Sequence, residues 1–358
     1  MRNLIDFAIR YEYSRVKALG DPLCDIGSQI DWERFRFIEN NLYNNKTSRG
    51  GRPNIDTVIM VKLLVLQQWY GLSDPELERQ VADRISFRMF LDTTEVVPDF
   101  STVWLFRERL IKSGMDKALW DELQKQIDEK KLDEKKLDEF KGTIQDASFI
   151  TSDPGRKRKS KDQQDKDAKV ENNSEAPLAS QGEVFDEDLL NIANNIIDSE
   201  LNMNLPDEEP TNEGTWAKKG VKSFFGYKFH LSIDTDYHLI RDIETTTASV
   251  HDSKVDLGIE GKPRYADKGY AGAQTRGINA SMKKATRGHK LEIRDVLRNK
   301  RISKKRSPVE RCFSVIKRAH KLDHVSVTTT ARAGVKCMMG AIAYNLGQLR
   351  YLAKVEST

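Results

Sequence analysis

Apolar positions in the first third of the chain recur at helical spacing, punctuated by residues that start and stop helices. Val58, Met60, Val61, Leu63, Leu64 and Leu66 lead to Tyr70 as one strongly apolar helix, with Asp56-Thr57 as its cap and Gly71 as its stop. Ser73-Asp-Pro-Glu76 starts a second: Ser73 caps, Pro75 suits the first turn and Glu76 closes a capping box. Asp99-Phe-Ser-Thr102 starts a third, ahead of Val103, Phe106 and Leu110. Around Ile30, Trp32, Phe35 and Ile38, residues 1–45 predict short helices. Such tight starts suit a helix-turn-helix-like module or plain helix packing. From Met115 to Phe140 the pattern predicts one charged, solvated connecting helix holding Lys-Lys-Leu-Asp-Glu twice (Lys130–Glu134 and Lys135–Glu139). A five-residue repeat moves about 140° around a helix per copy, so it builds no coiled-coil seam.

After Gly142 the period changes from helical to alternating. Thr143–Ile150 predicts a strand. In Phe225–Ile233, Phe225, Tyr227, Phe229, Leu231 and Ile233 share one face of a second. His238–Thr247 completes a hairpin across Asp234–Tyr237, and Arg264–Asp267 ends a fourth strand. A closing helix is expected from Ala331 to Leu352. Strands followed by helices, with a crossover, predict a mixed α/β sheet. Between the first two strands, residues 155–215 start basic, become polar and end acidic. Within them Val184, Phe185, Leu189, Leu190, Ala193, Ile196, Ile197 and Leu201 predict one amphipathic helix among disordered flanks.

Composition narrows the function classes. The 358 residues are 32% charged and 38% hydrophobic, enough for a catalytic core plus another module. No apolar run predicts a membrane span, and the charged N-terminus reads as no signal peptide. Cys24, Cys312 and Cys337 are isolated, which predicts a reduced, cytosolic protein, and the six histidines form no zinc motif. Charge is unevenly spread. From Lys283 to Arg318 there are 14 Lys and Arg against three acidic residues, whereas Val170–Ala217 holds no Lys or Arg. So concentrated a positive field suits a phosphate backbone. Arg49-Gly-Gly-Arg52-Pro reads as a basic arm for a minor groove or as an ordinary linker.

Three carboxylates stand out beside this basic region. Asp146 lies inside a strand, where Asp is disfavoured. Asp267 falls where the fourth strand meets Lys268-Gly-Tyr-Ala-Gly272. Glu310 is early in a helix, where Ser307-Pro-Val-Glu310 also reads as a capping box with Ser307 as N-cap. Moving a phosphodiester bond needs an activated oxygen and a stabilised leaving oxygen, which two Mg²⁺ ions held by a few carboxylates provide.

Residues 142–350 resemble the catalytic region of the insertion-sequence transposases of the IS5 group, within the DDE superfamily. The matching stretches are Gly-Thr-Ile-Gln-Asp146-Ala, Phe-Phe-Gly-Tyr-Lys-Phe-His230 leading to Ile233-Asp234, Ala248-Ser-Val-His-Asp-Ser253, and Tyr265-Ala-Asp267-Lys-Gly-Tyr270. Arg306, Glu310 and Lys317 reproduce the spacing around the family's glutamate, with Ser303 where that signature begins with a tyrosine. Gly51-Arg-Pro53, Pro98–Thr102 and Phe106–Arg109 resemble the group's N-terminal domain.

The resemblance implies an α-helical N-terminal domain that binds DNA (1–114), a connecting helix (115–141) and an RNase H-like α/β domain (142–358) interrupted at about 155–215. It implies that Asp146, Asp267 and Glu310 hold two Mg²⁺ ions, with Mn²⁺ able to substitute, to nick element ends and join them to target DNA. The expected partners are double-stranded terminal inverted repeats and target DNA, bound by a homodimer or larger assembly at the nucleoid, in the cytoplasm of a prokaryotic cell. Lys317, two turns after Glu310, is expected on a phosphate near the scissile bond. Arg306 is expected to orient Glu310 or bind backbone, and Lys304, Lys305 and Arg311 to contact DNA. Asp252 is expected as a turn cap, with a place beside the site as the alternative; Trp216 is expected to be buried, with DNA contact by Trp216, Lys218 and Lys219 as the alternative. A nuclease without strand transfer, or a transposase-derived protein that binds without cutting, are the competing readings.

Overall fold

In the computed structural model, residues 4–43, 54–92, 97–132, 135–155 and 212–356 are described. Arg49, Arg52 and the amphipathic stretch 184–201 lie outside them. The chain divides into a unit of Met1–Asp153 with Glu213–Thr358 and a second of Pro154–Asn212. The first carries the elements that follow.

The N-terminal region is helical: α1 (Leu4–Ala18), α2 (Pro22–Gly27), a 3-10 turn (Trp32–Ile38), α3 (Glu39–Leu42), α4 (Thr57–Tyr70), α5 (Asp74–Asp83), α6 (Ile85–Leu91), α7 (Phe100–Ser113) and α8 (Met115–Glu129). The predicted caps form. Asp56 accepts from the Val58 N–H at 2.8 Å, Ser73 from Glu76 at 3.4 Å and Asp99 from Thr102 at 2.7 Å. Gly71 ends α4 at φ +60°. Because α4 is apolar nearly all round, it is buried nearly all round. It packs against the closing helix α10 (Thr330–Glu356), which lies on the sheet, so helical region and sheet share one continuous core.

The helix expected to reach Phe140 stops at Glu129. The Lys-Lys-Leu-Asp-Glu repeat instead makes two short antiparallel strands, β1 (Lys131–Leu132) and β2 (Lys135–Lys136). Tertiary partners explain the stop: Leu137 and Phe140 are buried, and the Leu137 carbonyl accepts from Arg241. Nor is α8 simply solvated, since Leu119, Trp120, Leu123 and Ile127 bury one face.

The main sheet contains β3 (Thr143–Ser152), β4 (Thr215–Lys219), β5 (Lys222–Asp234), β6 (Ile240–Thr247), β7 (Pro263–Tyr265), β8 (Ile278–Asn279) and β9 (His324–Val325). Its central order is β6-β5-β3-β7-β8, antiparallel as far as β3 and parallel beyond it. This is the expected RNase H-like mixed sheet flanked by helices. β4 pairs with the start of β5, and β9 with the end of β3. At Gly226, φ is +137° and a Cβ would meet the Ile150 carbonyl oxygen at 2.4 Å, so only glycine lets β5 pass from β4 to β3.

Helix α9 runs unbroken from Ile293 to Arg318 with Pro308 inside it, which corrects the expected start at Ser307. Pro308 removes one helical N–H, yet Ile302, Val309, Cys312, Phe313 and Ile316 bury a continuous stripe across that point. Burial outweighs the local cap signal. Glu310 therefore closes no capping box.

Candidate active site

The pairing of Ile144 with Tyr265 sets β3 and β7 in parallel register. Asp146 and Asp267 each lie two residues further on, so their side chains leave the same face of neighbouring chain segments, beyond the carboxyl end of β7. Ligands of open α/β sheets collect at such strand ends. Beneath them, fully buried Arg264 donates to Gln145 and to Asp256, both at 3.2 Å, tying β3 to β7.

Asp146 accepts from Arg306 at 2.8 Å and is only one-fifth exposed. Burial pushes its carboxyl above the usual carboxylate range. Arg306 pulls it back, and the charges of Asp267 and Asp252 push it up again. Asp267 caps a single 3-10 turn, Lys268–Tyr270, and accepts from the Gly269 N–H at 2.7 Å. Tyr270 is buried among these charges; burial first, then Asp252, Asp146 and Asp267, disfavours its phenolate. Asp146, Asp267 and Asp252 thus act on one another electrostatically, with Asp146 paired to Arg306 and Asp252 to Lys228. Asp146 and Asp267 offer the oxygen donors that a hard divalent cation takes.

Glu310 stands one helical turn after Arg306 and is exposed. Residues 306, 310, 313 and 317 form one stripe of α9 directed at the sheet: Arg306 reaches Asp146, Phe313 meets Phe229 edge-to-face at 6.3 Å, and Lys317 donates to the Phe149 carbonyl. Among the described residues, no three His, Cys, Asp or Glu side chains are gathered closely enough to hold one ion. The structure therefore joins Asp146 with Asp267 and does not close Glu310 onto them.

The basic residues divide. Arg306 pairs with Asp146 rather than with Glu310. Lys317, expected on a phosphate, is half-buried and fastens α9 to β3, with its pKa lowered by burial. Lys305 is exposed and donates to the Tyr265 hydroxyl at 2.9 Å. Lys304 and Arg311 are exposed on α9 and open to a backbone.

Sequence reasoning undervalued the polar face of β5. Lys228, His230, Ser232 and Asp234 alternate with apolar residues as a solvated face would, yet all four are buried. Residues 248–282 contribute the partners that cover the site end of that face. Lys228 pairs with Asp252 at 2.7 Å, and the turn cap is His251, not Asp252. The expected burial of Trp216 also fails: it is 61% exposed.

His230 donates to or accepts from Thr246 at 2.9 Å, and burial lowers its pKa to about 4. The unfolded chain takes up this proton near pH 6.5, so stability held above pH 6.5 is lost as pH falls towards 4. A loss of about 3 kcal/mol is expected over that window. His230→Gln should flatten it in denaturant titrations at several pH values; parallel curves for the two proteins would show that His230 protonates freely.

Two family models match the chain: Transposase domain (DUF772) over residues 11–109 and Transposase DDE domain over residues 196–346. The chain is a DDE-type transposase. It is thus a DNA-cutting enzyme, and DDE domains generally use divalent metal ions. The DDE match includes Asp252, Asp267, Glu310 and Lys317; it begins after β3 and so does not include Asp146. The transposase domain match covers the helical region through most of α7. No solved structure matches the chain. No described helix is long and apolar enough to cross a membrane.

Proposed function

We propose that this DDE enzyme, of the IS5 group, nicks the ends of a mobile element and joins the freed 3′-hydroxyls to target DNA. Asp146, Asp267 and Glu310 would hold two Mg²⁺ ions, for which Mn²⁺ substitutes. When bound, the ions supply an activated oxygen nucleophile and stabilise the leaving oxygen. The supporting observation is that Ile144 and Tyr265, each two residues before one of these aspartates, pair in parallel register, and that the charge of Asp267 acts on the buried Asp146 carboxyl.

The chain's own contribution is positioning and charge. Arg306 orients the Asp146 carboxylate and favours its ionised form. Glu310, exposed one turn along the same stripe, completes the set by swinging toward the strand ends. Lys304, Lys305 and Arg311 hold the DNA backbone, while Lys317 keeps α9 seated on β3. Residues 1–114, including Arg49 and Arg52, serve as the DNA-reading region, 115–141 as the connection and 142–358 as the catalytic domain. Two or more copies assemble on the element ends, at the nucleoid of a prokaryotic cell.

The test incubates purified protein with Mg²⁺ or Mn²⁺ and DNA bearing the element's terminal inverted repeats. Joined products support the proposal; cleavage without joining identifies a nuclease, and binding alone a DNA-binding derivative. Glu310→Gln is expected to lower cleavage at least about a hundredfold with the fold intact by circular dichroism. Full cleavage by this variant would remove Glu310 from the site.

A further inference from the structure

β4 and β5 form a ribbon that ends in a two-residue turn. Lys219 pairs with Lys222, and Gly220 (φ +62°) and Val221 make the tip. From Thr215 to Lys228 the chain holds four lysines and no acidic residue. Lys218, Lys219 and Lys222 are exposed, and Val221 is fully so. Trp216 keeps 61% of its surface exposed, although a tryptophan is among the most favourable side chains to bury. Its indole rests on Phe225, directly opposite in the ribbon, with ring centroids 5.3 Å apart and planes tilted by 58°. Phe225 therefore props the indole and leaves ring surface open.

The ribbon is tied to the catalytic strand. Phe224 stacks on Phe149 of β3 at 5.1 Å, and Lys219 lies within electrostatic reach of Lys317 at the foot of α9. Positive charge thus continues from α9 onto the ribbon. Phe225 is six residues before Leu231, the partner of Asp146, or about 20 Å along an extended strand. At 3.4 Å per nucleotide, that spans about six nucleotides of bound DNA.

We propose that this ribbon grips DNA close to the catalytic carboxylates, with Trp216 stacking on an unpaired base and the three exposed lysines on the adjoining phosphates. The inference rests on the reading that this enzyme acts on DNA ends. The choice of an unpaired base follows from the chemistry of the indole. Inside a duplex each base face is covered by its neighbours, whereas an unpaired or flipped base offers a free π-face. The surrounding lysines supply the sequence-independent attraction that such stacking accompanies.

The test measures binding of the full chain in EDTA, so that cleavage does not enter, to a blunt duplex and to the same duplex with a single-stranded tail. Wild type should prefer the tailed DNA by about tenfold. Trp216→Ala should erase that preference while leaving blunt-duplex affinity unchanged, and Trp216→Phe should retain most of it. Replacing Lys218, Lys219 and Lys222 by Ala should weaken both DNAs alike and flatten the dependence on salt by roughly one unit per lysine. If wild type prefers the tailed DNA and Trp216→Ala does too, the stacking assignment is overturned. An equal loss on both DNAs also overturns it, because Trp216 would then contact duplex. If wild type binds neither DNA, the reading of DNA as substrate fails instead.

Discussion

Asp146→Asn and Asp267→Asn are each expected to lower DNA cleavage at least about a thousandfold, a loss of about 4 kcal/mol of transition-state stabilisation. DNA binding should persist, since neither residue belongs to the exposed basic surface. Metal linkage gives a second readout independent of turnover. Wild type should melt several degrees higher at saturating Mg²⁺, because an ion bound only by the folded state stabilises it by mass action; both variants should lose most of that rise. Asp146 adds a sign that can be worked out. Its folded carboxyl is raised, chiefly by burial, so the metal-free fold is favoured by the protonated form at low pH and loses that advantage as pH rises through the folded value. Asp146→Asn removes this penalty at neutral pH, so the metal-free variant should melt no lower than wild type. Near-wild-type cleavage by either variant would displace the pair from the active site.

The largest stability loss is expected at Arg241. Its guanidinium donates to Asp234 at 2.9 Å, to Asp128 at 2.8 Å and to the Leu137 carbonyl, and it lies over the Phe140 ring at 4.6 Å. Asp234 is fully buried and also accepts from the N–H groups of Asp236, Tyr237 and His238, closing the β5–β6 turn. Burial pushes the Asp234 carboxyl up, and Arg241 opposes it. Arg241→Leu leaves that carboxylate buried without its cation, at a cost of about 3–5 kcal/mol. For a core of this size the melting temperature should fall by about 10 °C. Arg241→Lys should recover little, because an ammonium cannot address three acceptors in the guanidinium geometry. A loss under about 1 kcal/mol by chemical denaturation would show that the turn's own N–H groups suffice for Asp234.

What could be read from the chain is what its neighbours in sequence decide. The caps at Asp56, Ser73 and Asp99 and the stop at Gly71 form as predicted, because each is a bond or a dihedral spanning a few residues. The alternation of Phe225 to Ile233 likewise defines a strand face wherever the strand lies. Asp267 was marked by its surrounding motif and Asp146 by a charge placed inside a strand.

The same local signals misled where burial was at stake. Ser307-Pro-Val-Glu310 carries a good cap, yet α9 passes through it, since the apolar stripe on either side gains more than one cap bond supplies. The lysine-rich repeat after Glu129 has helical composition, but Arg241 and a buried Leu137 turn the chain there. Nothing local marks Lys228, His230, Ser232 and Asp234 of β5 as buried. Only the return of residues 248–282 supplies the partners that cover this face at the site, among them Asp252 and the Val250 carbonyl for Lys228.

Taken alone, then, the sequence determined most element types, the helix boundaries set by caps and the basic stretch, and it marked Asp146 and Asp267 as candidates. The tertiary structure decided which charges meet. It paired the strand that carries Asp146 with the strand that leads to Asp267, 121 residues on, set Arg306 rather than Glu310 against Asp146, drew Lys317 inward and left Trp216 outside. The physical reason is range: caps and periodicity act within a turn or two, whereas charge pairing and burial depend on segments that only folding brings together.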